Sequence, residues 1–510
     1  MERRLVDVFK EEDPLKYLKE QIMLEEPSFR RGGSRDLLKG NLGDAAQEEH
    51  GWFYPKSSRQ IKSVFSKIGW GIMRVVVIGY GTAGQTASAI AKKRNPDLEI
   101  VVLEKRSYPA YHPCSLPYAL SGKIPLEDVI EKTVPPNVEL ITSATAERID
   151  PHEKLVDFER NGSQDCIEYD FLLISTGLKP TVPPVEGLDL EGVSLFWTVE
   201  DVENLRKRSL EKVAIIGGSA TGIEVAAELA ALGKEVTIVE MMEQLLPGKL
   251  DPPIASLVGK ALSEMGVKVL LKHPLKKIIG ERDEVTRVVA GDKEIDVDTV
   301  MLCTGAKPNV ELAEKSGIRI GKSGGIPVDP WMRTEHPNVY AAGDVAEVKD
   351  YITGKPIVTG LASTALVQGR IAGINIAGED VKYEGALCPF IVHLGEYEVG
   401  CTGLTSSRAE IEGIKHIFGR FRGPDMAKEV PWSSSIVTWL VLDKGGRLLG
   451  AQFFGKRGIW GRVIFSTLAI LKGVRLNELE KMEFGYHPLV SPVIEPLSVL
   501  AEALRRKYRL

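Results

Sequence analysis

The chain has 510 residues, a length for roughly three domains. Its apolar and charged fractions are ordinary for a globular protein, and a net charge of -5 offers no basic face for nucleic acid. The charged start "MERRLVDVFKEEDPLKYLKE" lacks the apolar core of a secretory leader, and no uncharged apolar run of about 18 residues appears, so no membrane span and a cytoplasmic setting are expected.

Residues 1–72 are charge-dense, with only short apolar patches, and carry no recognisable site chemistry. Two readings stay open for them: a partly helical, mobile extension, or a chain whose functional start is Met73. From Arg74 onward short apolar strands alternate with helical stretches, the pattern of βαβ units and a mostly parallel sheet. "RVVVIGYGTAGQTASAIAKKR" reads as strand, glycine turn and helix, and "EIVVLEKR" as the next strand. The turn is Gly79-x-Gly81-x-x-Gly84, with Thr82 and Ala83 opening the helix. Gly79 permits the tight turn, Gly81 lets backbone approach a pyrophosphate, and Gly84 allows close helix–strand packing. Glu104 ends the second strand, where a carboxylate can accept bonds from ribose hydroxyls.

The stretch "EKRSYPAYHPCSLPYALSG" follows, with Cys114 alone in it. The other cysteines are Cys166, Cys303, Cys388 and Cys401; there is no CxxC, so neither a zinc site, or any other metal site, nor a disulfide framework is expected. The strand–turn–helix arrangement returns in "KVAIIGGSATGIEVAAELAALG" and "EVTIVEMME". Here the turn is Gly217-Gly218-Ser219-Ala220-Thr221-Gly222, with a serine in the middle glycine position, Glu224 on the helix and Glu240 at the strand end. An acid at Glu240 favours the free 2′-hydroxyl of NADH over the 2′-phosphate of NADPH; the plainer reading is a solvated strand end. Two dinucleotides in one chain imply a relay, a bound flavin receiving hydride from a nicotinamide. After about residue 385 the texture shifts to mixed strands and helices, a separate α+β unit.

The order of these elements resembles the class II pyridine-nucleotide disulfide oxidoreductases over about residues 73–510. "FLLISTGLKP", with Thr176 and Gly177, and "TVMLCTGAKPN", with Gly305, resemble that family's paired Thr-Gly turns. "HPNVYAAGDVAEV" is similar to the segment whose aspartate, here Asp344, binds the flavin ribityl chain. "LASTALVQGRIAG", with Thr364, is similar to the helix aimed at the flavin's pyrimidine edge. The implied fold is α/β, with two Rossmann-like dinucleotide-binding units and a C-terminal α+β dimerisation unit. FAD would occupy residues 73–190 and 330–385, NADH (with NADPH possible) residues 191–329, and dimerisation residues 386–510.

Much of the family carries a CxxxxC redox pair, but here the fifth residue past Cys114 is Ala119. "YHPCSLPYALSG" instead resembles the single-cysteine branch: coenzyme A-disulfide reductases, sulfur and polysulfide reductases, NADH oxidases and NADH peroxidases. The resemblance makes Cys114 the redox-active thiol beside the flavin, its pKa lowered by the helix opening near Leu116 or by oxidised flavin. The plainer reading is a small buried residue. Ala110 and Pro113 replace the branch's Ser and Asn, which contact coenzyme A, so the thiol substrate stays open. Lys92 and Lys93 match the branch's basic pair for coenzyme A phosphates, against the alternative of a solvated helix end. His112 reads as a loop histidine. "EFGYHPLVSPVIEP" resembles the segment that crosses a dimer interface, which makes Tyr486 a donor to a leaving thiolate and His487 a candidate acid.

The implied function is an FAD-dependent NAD(P)H oxidoreductase, homodimeric, reducing a small disulfide, coenzyme A disulfide, persulfide or polysulfide. The alternatives are an NADH oxidase or peroxidase cycling a cysteine sulfenic acid, and a flavin-binding regulatory protein with little turnover.

Overall fold

The computed structural model describes residues 73–510; the segment 1–72, and the expectations placed on it, lie outside the described residues. Arg74–Ile78 forms the central strand of a five-stranded parallel sheet, ordered Val339–Ala341, Phe171–Ile174, Arg74–Ile78, Glu99–Leu103, Glu139–Ile141. Its strands are nearly continuous apolar runs, as befits strands covered on both faces. A second parallel sheet repeats the arrangement: Val193–Leu195, Thr299–Leu302, Lys212–Ile216, Glu235–Val239, Lys268–Leu270. In each, the strand before the glycine turn is central, and the strand ending in glutamate lies beside it. Each sheet also has a three-stranded antiparallel appendage, at Ala144–Glu168 and Leu275–Asp296.

The helix Thr82–Arg94 shows how small residues set this architecture. It buries Ala83, Gly84, Ala87, Ser88 and Ala91, and its last turn carries Lys92, Lys93 and Arg94, favourable for the helix dipole. Its partner is the helix Ala362–Ile376, which presents Gly369 and Gly373 one turn apart. A Cβ on Gly369 would lie 2.9 Å from Ala83 Cα, and one on Gly373 would lie 2.6 Å from Ala87 O. The two backbones therefore approach to a distance only glycine permits. The packing brings Asp344, just after the strand Val339–Ala341, beside the first glycine turn: a Cβ on Gly343 would meet Ala83 Cβ at 2.9 Å.

The antiparallel strands Leu178–Pro180 and Ala306–Pro308 join the two parallel-sheet units. The helix Glu311–Lys315 follows, and Ala313, Ile318 and Ile326 already lie in the core of the first sheet. Packing thus returns to the first unit earlier than residue 330. The last segment forms a five-stranded antiparallel sheet, ordered Phe390–Leu394, Tyr397–Gly403, Leu448–Gly455, Ser435–Asp443, His416–Pro424, with helices Ile459–Leu471 and Pro496–Tyr508 against it. Among the described residues no helix is long and apolar enough to cross a membrane.

One core joins these parts. Leu116, Ala119 and Leu120, just after Cys114, pack in a cluster with Ile223 and Ala227 of the second unit and Phe390 and Trp439 of the last sheet. Cys114 therefore sits where the three structural units meet.

Candidate active site

The two glycine turns are built alike. Gly79 has φ +92° and Gly217 φ +114°, the left-handed side that a side chain rarely adopts. A Cβ on Gly84 would overlap Gly79 O, and one on Gly222 would overlap Gly217 O. The middle positions differ. Gly81 starts its helix without a side-chain cap, and a Cβ there would find nothing within 4 Å. Ser219 instead caps the second helix, accepting from Gly222 N at 3.3 Å and donating to Cys303 O at 3.1 Å. The serine thus satisfies one of the helix-terminal N–H groups that Gly81 leaves open at the first site.

Glu104 and Glu240 are only 2% and 6% exposed, so Glu240 is not a solvated strand end. Each carboxylate pins its glycine turn. Glu104 accepts from Tyr80 N at 2.8 Å and from Arg106 N and Nη1 at 3.0 Å. Glu240 accepts from Gly218 N at 2.6 Å and Met242 N at 2.7 Å. Each carboxylate keeps lone-pair capacity for a ribose hydroxyl. Ala220 and Thr221 form the first turn of the second helix.

Thr176 donates to Asn309 O at 2.8 Å, and Asn309 N donates to Gly177 O, which locks the two Thr-Gly turns side by side. Gly177 and Gly305 have φ +67° and +82°, and a Cβ on either would meet nothing within 4 Å. Gly81, Gly177 and Gly305 thus present bare backbone to open space, a surface that suits a flat, phosphate-bearing ligand. Asp344 Oδ1 accepts from Leu361 N at 3.1 Å, just before the helix that carries buried Thr364. Burial pushes the Asp344 carboxyl up, against the Leu361 N–H, the Lys249 cation and the Gly360 N–H, which pull it down. Gln368, fully buried two turns into that helix, accepts from Gly343 N at 2.8 Å and fixes the approach to Asp344.

Cys114 lies in the short turn Pro113–Ser115 that leads into the helix Leu116–Leu120. Its residue is exposed, with protein packed around one side. That packing raises the thiol pKa, and the negative charges of Glu224 and Asp344 raise it further; only its own backbone N–H lowers it. The charges of Glu224 and Asp344 therefore act against any lowering by the start of the following helix, which has only five residues. Asp344 from the first unit and Glu224 from the second thus converge on Cys114. The remaining cysteines take no part in this cluster; Cys303 and Cys401 are buried, with thiols pushed up to about 12 by burial.

Other expected residues fall elsewhere. Lys92 Nζ donates to Leu98 O at 2.6 Å, closing the turn after its own helix, while Lys93 is exposed. His112 Nε2 stands 3.8 Å from Glu131 Oε2, a surface partner. Tyr486 and His487 lie in an exposed loop in which Leu489 N donates to His487 Nδ1 at 3.3 Å. Among the described residues of this chain, neither contributes to the surroundings of Cys114. Large apolar side chains are exposed in the same stretch of chain, at Leu489, Val490, Val493 and Ile494, and on the helix Ile459–Leu471, at Trp460 and Ile464. No group of three potential metal ligands gathers among the described residues.

Sequence reasoning missed Tyr118, Glu228 and Lys123. Tyr118 sits four residues after Cys114, on the helix Leu116–Leu120, and burial, then the charges of Glu224 and Glu228, push its hydroxyl pKa up. Ser121 Oγ and Lys123 Nζ donate to buried Glu228 at 2.6 and 2.7 Å.

A family model described as pyridine nucleotide-disulphide oxidoreductase matches residues 73–369. An NADH oxidase of Methanocaldococcus jannaschii is 38% identical over 446 residues, 85% of this chain and 99% of that protein. An NAD(P)H coenzyme A polysulfide/persulfide reductase of Pyrococcus horikoshii is 33% identical over 444 residues, 85% of this chain and 98% of that protein. Among solved structures, an NAD-dependent persulfide reductase from A. fulgidus superposes with a TM-score of 0.82 at 34% identity, covering 85% of this chain and 83% of that one. Members of this family use FAD and NAD(P)H. With two glycine-turn sheets, a thiol at their junction and these relatives, the chain belongs to the pyridine nucleotide-disulphide oxidoreductase family and is an NAD(P)H-dependent flavin oxidoreductase of the NADH oxidase and polysulfide reductase type.

Proposed function

We propose that this chain holds FAD in its first unit and NADH in its second, and reduces the sulfur–sulfur bond of a small disulfide, persulfide or polysulfide through Cys114. The observation that carries this reading is the position of Cys114: a lone accessible thiol between Asp344 and Glu224, at the junction of both dinucleotide-type sheets. Gly81 and the open N-terminus of its helix would hold the flavin pyrophosphate, Glu104 the adenosine ribose, and Asp344 the ribityl hydroxyls. The nicotinamide nucleotide would lie on Gly217, Gly218 and the helix capped by Ser219, with its ribose at Glu240.

The bound flavin supplies two electrons taken from NAD(P)H. Everything else falls to the chain. The Cys114 thiolate attacks one sulfur of R–S–S–R′; a new Cys114–S–R bond forms, the old bond breaks, and R′ leaves as thiolate. Two electrons and protons then cleave the mixed disulfide, returning the Cys114 thiol and R–SH. The balance is one disulfide and NADH with one proton in, two thiols and NAD⁺ out. No second cysteine is needed, and the chain places none beside Cys114. The exposed apolar side chains in the stretch after Tyr486 suit a second copy of this chain, which would bring that tyrosine to the partner's sulfur.

The relative named as an NADH oxidase favours a second reading, in which Cys114 cycles through a sulfenic acid with oxygen or peroxide as acceptor. Steady-state NADH consumption, measured separately with coenzyme A disulfide, polysulfide, oxygen and peroxide, tests the choice. The proposal expects the highest kcat/KM with a sulfur acceptor. Oxygen or peroxide exceeding both sulfur compounds would replace it with the oxidase reading.

A further inference from the structure

The segment 245–251 runs from the second glycine turn to the last unit, and both its ends are fixed. At the first end, Leu246 N donates to Gly218 O at 2.9 Å, while Gly218 N donates to Glu240 Oε2 at 2.6 Å. Leu245 closes the turn from the side: a Cβ on Gly218 would lie 2.6 Å from Leu245 Cδ2. Leu246 is buried and makes its bond with φ +50°, a left-handed conformation that is strained for a large side chain. Gln244 Nε2 donates to Leu250 O at 2.9 Å and ties the start of the segment to its end.

Asp251 fixes the other end. It stands at the N-cap position of the helix Pro252–Glu264, yet its carboxylate makes no bond to that helix. It accepts instead from the first two N–H groups of the helix Ser406–Ile411, Ser406 N at 2.8 Å and Ser407 N at 3.0 Å. Both serine hydroxyls donate to it at 3.0 Å, and Gln452 Nε2 of the strand Leu448–Gly455 donates at 2.7 Å. Its own N–H donates to Gln452 Oε1 at 2.7 Å. Trp439 Nε1 donates to the Ser406 hydroxyl at 3.2 Å and carries the network into the strand Ser435–Asp443. Asp251 is 1% exposed, and these donors are all neutral. Burying a carboxylate without a cation carries a desolvation cost, whereas a fully satisfied polar network fixes one register. The last unit is fastened in turn to the segment that follows Asp344: Ala386 N donates to Lys349 O at 2.8 Å, and Tyr351 N to Ala386 O at 3.0 Å.

We infer that Asp251 is a positioning residue: through the strut 245–251 it sets the second glycine turn, and the nucleotide seated there, against the unit that carries Asp344. It rests on the reading above that places FAD in the first unit and NADH in the second. Hydride transfer depends on the separation and alignment of the two seated groups, and a misplacement of about 1 Å can cost on the order of a hundredfold in rate. The path from Gly218 through Asp251 and Ala386 to Lys349 fixes that alignment from outside both sites.

The test uses the flavin-loaded full chain and three variants. Asp251→Asn keeps the shape but turns an amide N–H₂ toward part of the donor set. Ser407→Ala removes one hydroxyl from the far side of the joint, and Ser407→Thr keeps a hydroxyl there. Anaerobic stopped-flow flavin reduction over a range of NADH concentrations separates NADH affinity from the limiting rate. The limiting rate should fall about tenfold in D251N, several-fold in S407A and not in S407T, with NADH Kd within about twofold of the parent throughout. Hydrogen exchange without nucleotide, followed by mass spectrometry, should speed up in D251N and S407A over residues 217–222 and 244–250. A parent-like limiting rate in both variants, a weaker Kd at unchanged rate, or unchanged exchange over 217–222 overturns the inference. If D251N does not fold, S407A against S407T decides. A parent whose flavin NADH does not reduce overturns the reading of the second unit instead, and the exchange result still decides the strut.

Discussion

Replacing Glu224 by glutamine should make the protein more stable at alkaline pH and leave it unchanged in acid. The folded chain raises this carboxyl from 4.5 to about 7, chiefly by burial. Between those values the folded state binds a proton that the unfolded chain releases. Stability from this group is therefore full below the unfolded value and declines as pH rises through the folded one. At about 1.4 kcal/mol per unit, the ionised carboxylate costs the folded state on the order of 3 kcal/mol at pH 8. Glutamine keeps the shape and an acceptor oxygen but never ionises. Urea unfolding of flavin-loaded parent and E224Q, followed by tryptophan fluorescence from pH 5 to 8, should give midpoints that coincide in acid and diverge upward for E224Q. A gap independent of pH would refute the reasoning, since a mere packing change has no titration.

Gly369→Ala should cost about 1–3 kcal/mol and weaken FAD retention, because its Cβ would meet Ala83 Cα at 2.9 Å and part the helices that flank Asp344; gel filtration with flavin absorbance checks it. NADH should give a higher kcat/KM than NADPH, and Glu240→Gln should narrow the ratio, because the buried carboxylate opposes a 2′-phosphate; an unchanged ratio would count against Glu240. Light scattering should find at least a dimer. Mixed dimers of Cys114→Ser and Tyr486→Phe chains should retain one complete centre, whereas fully active monomer would contradict the role given to Tyr486.

What the sequence made legible was local. Gly79, Gly81 and Gly84 share one turn, and their conformational demands show in residue type alone. The glutamates closing the next strands were also visible, and their carboxylates do meet the turns, through Tyr80 N and Gly218 N. Ser219 looked like a weakened glycine and is a helix cap, a role its hydroxyl could have suggested. Pairings between distant segments left no trace. Lys123 meets Glu228 across 105 positions, and Asp251 gathers Ser406 and Ser407 from a helix start and Gln452 from a strand of the last unit. Such contacts depend on how the units dock, which periodicity and turn chemistry do not encode. The same docking sets the charges of Glu224 and Asp344 against Cys114, an influence on its pKa that the neighbouring helix does not reveal.

The central claim is that Cys114 carries the acceptor chemistry and not the hydride uptake. The most direct measurement compares parent and Cys114→Ser in two anaerobic assays: flavin reduction by NADH, and NADH turnover with polysulfide or coenzyme A disulfide. Serine changes little in size but cannot form a mixed disulfide. Flavin reduction should therefore persist, while sulfur turnover falls by several orders of magnitude, the scale of a deleted covalent catalyst. Sulfur turnover within a few-fold of the parent would contradict the account and leave Cys114 a bystander beside a flavin-dependent NADH dehydrogenase.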